Sequence, residues 1–113
     1  MSQTAPHVAA DEAAAATLTP ARCHARGRAG LTVPELRAMS LKLRRDLITM
    51  LIDAGSGHSG GPLSCTDFGS VLFFHEMNLD PKNPQWDERD FWHFSIGHVT
   101  PIIYSLMGER GYF

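Results

Sequence analysis

The eight residues Gly55-Ser56-Gly57-His58-Ser59-Gly60-Gly61-Pro62 constrain this chain more than any other stretch. Four glycines, two serines and a proline surround one histidine. Helix and strand both lose stability at that composition, so the stretch reads as a loop between two helical segments, residues 34–54 and 65–77. Glycine at this density lets the backbone take positive φ and approach another molecule closely. His58 is the only side chain in the loop that titrates near neutral pH. The loop either presents imidazole and backbone N–H groups to a ligand or serves as a flexible connector.

The rest of the composition narrows the class. The 113 residues are 43% hydrophobic and 19% charged, with a formal net charge of -2. That suits one soluble globular unit and gives no basic face for nucleic acid. No apolar run approaches the roughly 20 residues of a membrane span, and the N-terminus lacks the apolar centre of a secretory signal. Cys23 and Cys65 have neither disulfide-framework nor C-x-x-C spacing, which points to a reduced, cytoplasmic setting. Residues 1–30 are alanine-rich with scattered Pro, Gly and Arg. They have too little large apolar surface to offset ordering entropy and read as a disordered tail. An organellar leader would use Arg22, Arg26 and Arg28, but Asp11 and Glu12 argue against it. Cys23-His24 has no second pair at a zinc spacing.

Order is expected from Thr32. Thr32 and Glu35 form a T-x-x-E capping box with Pro34 in the first turn. Leu36, Met39, Leu43, Leu47, Leu51 and Ala54 then recur at three- and four-residue steps, and Gly55 stands at the C-cap. Leu41, Ile48 and Ile52 form a second apolar row, so the helix is expected to touch more than one neighbour. Ser64 and Asp67 read as another capping box, opening a helix that runs to about Met77 with His75 at its far end. Asp80-Pro81-Lys82-Asn83-Pro84 is a turn-rich connector, anchored by Trp86. Phe91-Trp92-His93-Phe94-Ser95-Ile96 is short and aromatic and reads as a strand, with His93 a strand residue. Gly97-His98 forms a turn, and Thr100-Pro101 opens a helix through about Met107. His98 thus follows the C-terminal end of a strand and precedes a helix, the place where open α/β sheets bind ligands.

Several of these stretches together resemble the transketolase family. Leu43 to Asp46 and on through Gly61 is similar to its opening helix and S-G-H-P-G-G loop. Asp80-Pro81-Lys82-Asn83-Pro84-Gln85-Trp86 resembles its D-P-x-N-P-x-W connector. Arg89-Asp90-Phe91-Trp92-His93-Phe94-Ser95-Ile96-Gly97-His98 resembles its R-D-x-F-x-L-S-x-G-H strand and turn. The helix end from Ser105 to Gly111-Tyr112 is similar as well. The likeness covers about residues 36–113, and several motifs in one order are far more specific than a glycine loop alone. It implies an α/β fold: the N-terminal portion of a thiamine-diphosphate-binding, doubly wound parallel-sheet domain, here mostly helical with one strand and incomplete on its own. It implies transfer of a two-carbon ketol unit between sugar phosphates. His58 would be catalytic, beside the thiazolium and the substrate hydroxyls. His98 would hydrogen-bond the diphosphate, helped by the following helix N-terminus, with Gly97 and Ser95 in the same cofactor-binding turn.

Departures from the pattern bear on substrate choice. Ser59 stands where the family has proline, Ile96 where Lys or Asn is common, and Trp92 and His93 are bulky for the strand. The family's G-D-G motif, which holds Mg²⁺ and diphosphate, is absent, so the Mg²⁺ ligands are not in this chain. The second domain, whose glutamate activates the cofactor, is absent too. The expected partner is therefore the remainder of a transketolase-like enzyme, either a C-terminal portion or a separate subunit, in a homo- or hetero-oligomer. No nucleic acid or membrane partner is expected. The alternative is a non-catalytic interaction module that kept the helices, but such a module has no need of His58 and His98 in ligand-facing turns. Deleting residues 1–30 is expected to leave the fold intact. Circular dichroism and hydrogen exchange on a chain starting at Leu31 check this, and lost protection across residues 36–54 would contradict it.

Overall fold

The structure is a computed structural model, and it describes residues 30–113. The expectations for the tail and for Cys23-His24 lie outside the described residues, apart from Gly30. Helix α1 spans Val33–Ala54, α2 Gly60–Ser64 and α3 Thr66–Val71. The last opens into a π turn, Leu72–Glu76, closed by the Met77 N–H on the Leu72 carbonyl at 2.8 Å. An irregular stretch leads to a 3₁₀ turn, Gly97–Val99, and then to α4, Pro101–Arg110.

Helix α1 begins and ends where its sequence signals stand. The Thr32 N–H donates to the Glu35 carboxylate at 2.8 Å, and the Thr32 hydroxyl donates to the same oxygen at 2.7 Å. At the other end Gly55 takes the left-handed conformation, φ 63°, and its N–H reaches the Ile52 carbonyl at 3.0 Å. Met39, Leu43 and Leu47 of the expected stripe are buried, Leu36 and Leu51 are half-buried, and Ala54 is exposed. In the second row Leu41 is half-buried, while Ile48 and Ile52 point outward, Ile52 at 71% exposure. Helix α1 does meet more than one neighbour, packing against both α3 and α4, while Ile48 and Ile52 of the second row take no part among the described residues.

Three local expectations are corrected. The glycine loop is irregular only over residues 55–59; Gly60, Gly61 and Pro62 begin α2. The Leu63 N–H reaches the Ser59 carbonyl at 2.9 Å and the Cys65 N–H reaches that of Gly61 at 3.1 Å. Pro62 lies in the first turn, where no intrahelical acceptor exists for the N–H it lacks. Its burial supplies the tertiary contact that a single turn needs to be stable. Ser64 and Asp67 do not form a capping box. The Ser64 hydroxyl donates back to the Gly60 carbonyl at 3.0 Å, and Thr66 likewise bonds Pro62. One helical turn runs straight into the next, so there is no free helix start for Ser64 to cap. Residues 91–96 are extended but form no strand, because no second segment among the described residues lies in register to make a ladder.

Leu31, Met39, Leu43, Phe73, Phe74, Leu79, Val99, Ile102 and Leu106 make one core between α1, α3 with its π turn, and α4. Leu43, Ile102 and Leu106 are fully buried, each contributing about 1.5–3 kcal/mol relative to an exposed side chain. Trp92 lies edge-on to Phe68, Phe73 and Phe94, at centroid distances of 5.9, 5.5 and 5.0 Å, and so fixes the extended segment to the core. The connector closes on itself. The Asn78 N–H donates to the Asp90 carboxylate at 2.7 Å, and the Asp90 N–H donates to the Asn78 carbonyl at 3.0 Å.

Two polar links tie α1 to its neighbours. Lys42 bonds Glu109 of α4, and Arg44 and Ser40 both bond Asp67 of α3. The hydrogen bonds from Arg44 and Ser40 hold the Asp67 carboxyl below its ordinary value of 3.8. A carboxylate depressed in the folded state stabilises the fold above the unfolded value, and that contribution is lost as pH falls through the folded one. Asp67→Asn is therefore expected to lower the denaturant midpoint at neutral pH, with the gap to wild type closing as pH falls below 3.8. Paired unfolding curves along a pH series check it; a gap that does not change with pH would contradict it.

Candidate functional site

His58 is displayed by the short turn that closes α1. After Gly55, Gly57 takes φ 123°, a conformation that L side chains rarely adopt. A Cβ at Gly57 would also lie 2.4 Å from Leu51 Cδ2. Only glycine lets the chain fold back over the last turn of α1 here, and His58 emerges exposed beyond it. His98 occupies the middle of the 3₁₀ turn, which is closed by the Val99 N–H on the Ile96 carbonyl at 3.1 Å and the Thr100 N–H on the Gly97 carbonyl at 3.2 Å. Val99, its neighbour, is 3% exposed and points into the core, so His98 points out.

The two turns meet through Gly61 and Val99. A Cβ on Gly61 would sit 2.6 Å from Val99 Cγ2, closer than real Cβ atoms come. The bare backbone of α2 therefore lies directly on the Val99 side chain, which draws the 3₁₀ turn against the glycine loop. The consequence is that the His58 and His98 rings stand edge to face, with centroids 5.4 Å apart and planes at 74°. Residues forty positions apart in sequence thus share one exposed patch.

Ser95 and Gly97 lie in the stretch that enters the His98 turn, and both are exposed. A Cβ at Gly97 would meet nothing within 4 Å, so open space lies beside that backbone. The Gly97 carbonyl accepts from Thr100. His75 and His93 are not part of the pair. His75 Nδ1 lies 3.0 Å from the Leu31 carbonyl oxygen, and His93 is exposed on the extended segment. Two adjacent exposed imidazoles, with the positive end of α4 beginning at Thr100 just beyond His98, suit an anionic group such as a diphosphate. They do not make a metal site: among the described residues no group of three His, Cys, Asp or Glu could hold an ion. A cavity of about 270 Å³ lies elsewhere, lined mainly by apolar side chains with Arg89 and Asp90, and by none of His58, Ser95, Gly97 and His98.

The contact of Gly61 with Val99 was not legible in the sequence. Gly61 reads as one more loop glycine, and nothing in its local pattern says that Val99, far along the chain, will lie against it. Arg110 was also missed. It is 3% exposed, its Nη2 donates to the Leu79 carbonyl at 2.9 Å, and burial pulls the guanidinium below its ordinary value. It holds the connector against the end of α4.

Two exposed histidine-bearing turns, one following α1 and one leading into α4, thus lie side by side. Residues 37–113 match the transketolase thiamine diphosphate binding domain, and the chain belongs to the transketolase family. It is 44% identical over 59 residues to the 6-deoxy-6-sulfo-D-fructose transketolase subunit of Clostridium sp. (strain MSTE9), a segment that makes up 52% of this chain and 22% of that protein. It is 42% identical over 59 residues to transketolase 1 of Aliivibrio fischeri and to transketolase 2 of Vibrio parahaemolyticus, covering 52% of this chain and 9% of each. The chain thus spans about a fifth of one curated relative and less than a tenth of the others. No described helix is long and apolar enough to cross a membrane.

The Gly61 contact yields a prediction in which two effects compete. Helix propensity favours alanine over glycine by about 1 kcal/mol. Forcing a methyl into a packed contact costs about 1–3 kcal/mol. Gly61→Ala is expected to destabilise the wild-type chain and to be neutral or stabilising in a Val99→Ala background. A double-mutant cycle by chemical denaturation measures the coupling; no coupling between the two sites would contradict the account.

Proposed function

We propose that this chain is part of the thiamine-diphosphate-binding domain of a transketolase-like enzyme that transfers a two-carbon ketol unit between sugar phosphates. Further polypeptide completes it, in the same chain or as a separate subunit. The observation that carries this reading is the edge-to-face pair His58 and His98, exposed on two turns that have no packing need for them. Family membership supports the cofactor class. The Clostridium relative is by its name a subunit, which supports completion in trans. In the completed domain, residues 91–96 take their place as a strand of a doubly wound parallel sheet. Mg²⁺ is held by ligands from the completing part, and the assembly is an oligomer in the cytoplasm.

The bound cofactor supplies the carbanion chemistry. His98 donates a hydrogen bond to its diphosphate, and Ser95 and the open backbone at Gly97 give that group room and a further donor. His58 lies on the neighbouring turn, where its imidazole either donates a hydrogen bond to a sugar hydroxyl or, through its unprotonated ring nitrogen, takes up that hydroxyl's proton. The pairing of the rings means each orients the other, so the two roles are set by which turn faces diphosphate and which faces sugar.

The test is a cofactor titration and a turnover measurement on His58→Ala and His98→Ala in the completed enzyme. A charge-assisted hydrogen bond is worth about 1.5–3 kcal/mol, so His98→Ala should raise the cofactor Kd roughly tenfold to a hundredfold. His58→Ala should lower turnover at saturating cofactor by roughly 10²–10⁴ if it moves a proton, and less if it only positions substrate. Reversed effects would exchange the two assignments. No effect from either would leave the chain an interaction module without a catalytic part.

A further inference from the structure

Ser59 directly follows His58 and has no part in the site described above. Where the family has proline, this chain has a residue with a hydroxyl and a backbone N–H. We propose that Ser59 is a substrate-binding residue: its hydroxyl hydrogen-bonds a sugar hydroxyl beside the one that His58 takes. This rests on the functional reading above.

Backbone geometry and hydrogen-bond accounting support this together. Ser59 takes φ -97° and ψ -37°. A proline ring is held at roughly -65 ± 15°, so the loop lies in a conformation open to serine and outside the proline range. The Ser59 carbonyl is committed, accepting from the Leu63 N–H at 2.9 Å. Its N–H and its hydroxyl have no hydrogen-bond partner among the described residues. Serine is a favoured helix cap, yet this hydroxyl does not cap α2. The other hydroxyls of the short helices are used inside the fold. Ser64 donates to the Gly60 carbonyl, Thr66 to Pro62, Ser70 to Thr66 and Ser105 to Pro101. Ser59 is exposed, and a Cβ at Gly60 would meet nothing within 4 Å, so open space borders the next residue as well. The close contact of Gly61 with Val99 fixes the backbone two residues on, which gives the free hydroxyl a defined place. Consecutive Cα atoms lie about 3.8 Å apart, so a molecule resting against the His58 imidazole is within reach of the side chain that follows. A sugar carries hydroxyls on successive carbons, and a serine hydroxyl donates to such a group or accepts from it.

The experiment compares Ser59→Ala, Ser59→Thr and Ser59→Pro with wild type in the completed enzyme, loaded with thiamine diphosphate and Mg²⁺. Fructose 6-phosphate as ketol donor gives KM and kcat. Calorimetry gives the Kd of ribose 5-phosphate in the absence of donor, and that of inorganic phosphate. Ser59→Ala should raise KM and the ribose 5-phosphate Kd by roughly twofold to tenfold, the loss expected of one neutral hydrogen bond, with kcat and the cofactor Kd unchanged. Ser59→Thr keeps the hydroxyl and should stay within about twofold of wild type. Ser59→Pro lacks both donors and should raise KM at least as far as alanine does. Unchanged sugar affinity in Ser59→Ala overturns the proposal. So does a raised cofactor Kd, which would place the serine in the folding of the loop. Weaker binding of inorganic phosphate by Ser59→Ala would assign the hydroxyl to the phosphate group, and overturns it as well. Wild type that binds ribose 5-phosphate more tightly than Ser59→Ala, yet transfers no ketol unit, leaves this inference standing and overturns the functional reading. Ketol transfer with equal sugar affinities does the reverse.

Discussion

The site depends on one steric fact: α2 can lie on Val99 only because residue 61 has no side chain. The contact is made by backbone on one side and a stiff β-branched side chain on the other, so neither can yield easily. Everything that follows from it is geometric. The glycine loop is held at the end of α1, the 3₁₀ turn is held against it, and two exposed imidazoles come within ring contact. The histidines themselves contribute little to the fold, since both are solvent-facing. Placing reactive groups on turns and their positioning in the core separates what must be rigid from what must be reachable.

The scaffold beneath that contact is a long helix with two shorter partners. Leu43 and Leu47 of α1, Phe74 of the π turn, and Ile102 and Leu106 of α4 are removed from water. A further close approach repeats the device: a Cβ at Gly69 would lie 3.0 Å from Leu106, so α3 and α4 also pack with a glycine between them. The connector between the π turn and the extended segment carries little apolar surface of its own. It is organised instead by an Asx turn, Lys82 N–H to Asp80 at 2.9 Å, and by Arg110 reaching Leu79 from α4. What stays outward is also informative. Ile52 and Phe91 are more than half exposed, so the described part leaves apolar surface that a larger assembly can cover.

Legibility followed the range of the interactions. Helix α1 could be read with its ends because capping by Glu35, the αL glycine and the apolar step are all set within a few residues. Helix α4 was read from Thr100-Pro101 for the same reason, though it runs on to Arg110. The second capping box failed because Ser64 already lies inside a helical turn and Asp67 is claimed by Arg44 and Ser40, partners in another element. The strand failed for a related reason. Aromatic and alternating residues make a segment extended, but a ladder needs a second segment, and that is not a property of residues 91–96. The π turn has no local signal that separates it from ordinary helix.

The sequence by itself determined which residues could form helices, that α1 must end at Gly55 in a glycine-rich loop, and that a histidine stands on each of two turns. It also carried enough motif order to indicate the family. Those properties are local or are read motif by motif. Only the tertiary structure decided that Gly60 to Ser64 would be helical, that Asp67 would cross-link α1, that Arg110 would be buried, and that His58 and His98 would face each other. Each of those depends on contacts between residues far apart in the chain. Such contacts are chosen by the shapes that fit together in the core, and no local pattern encodes them.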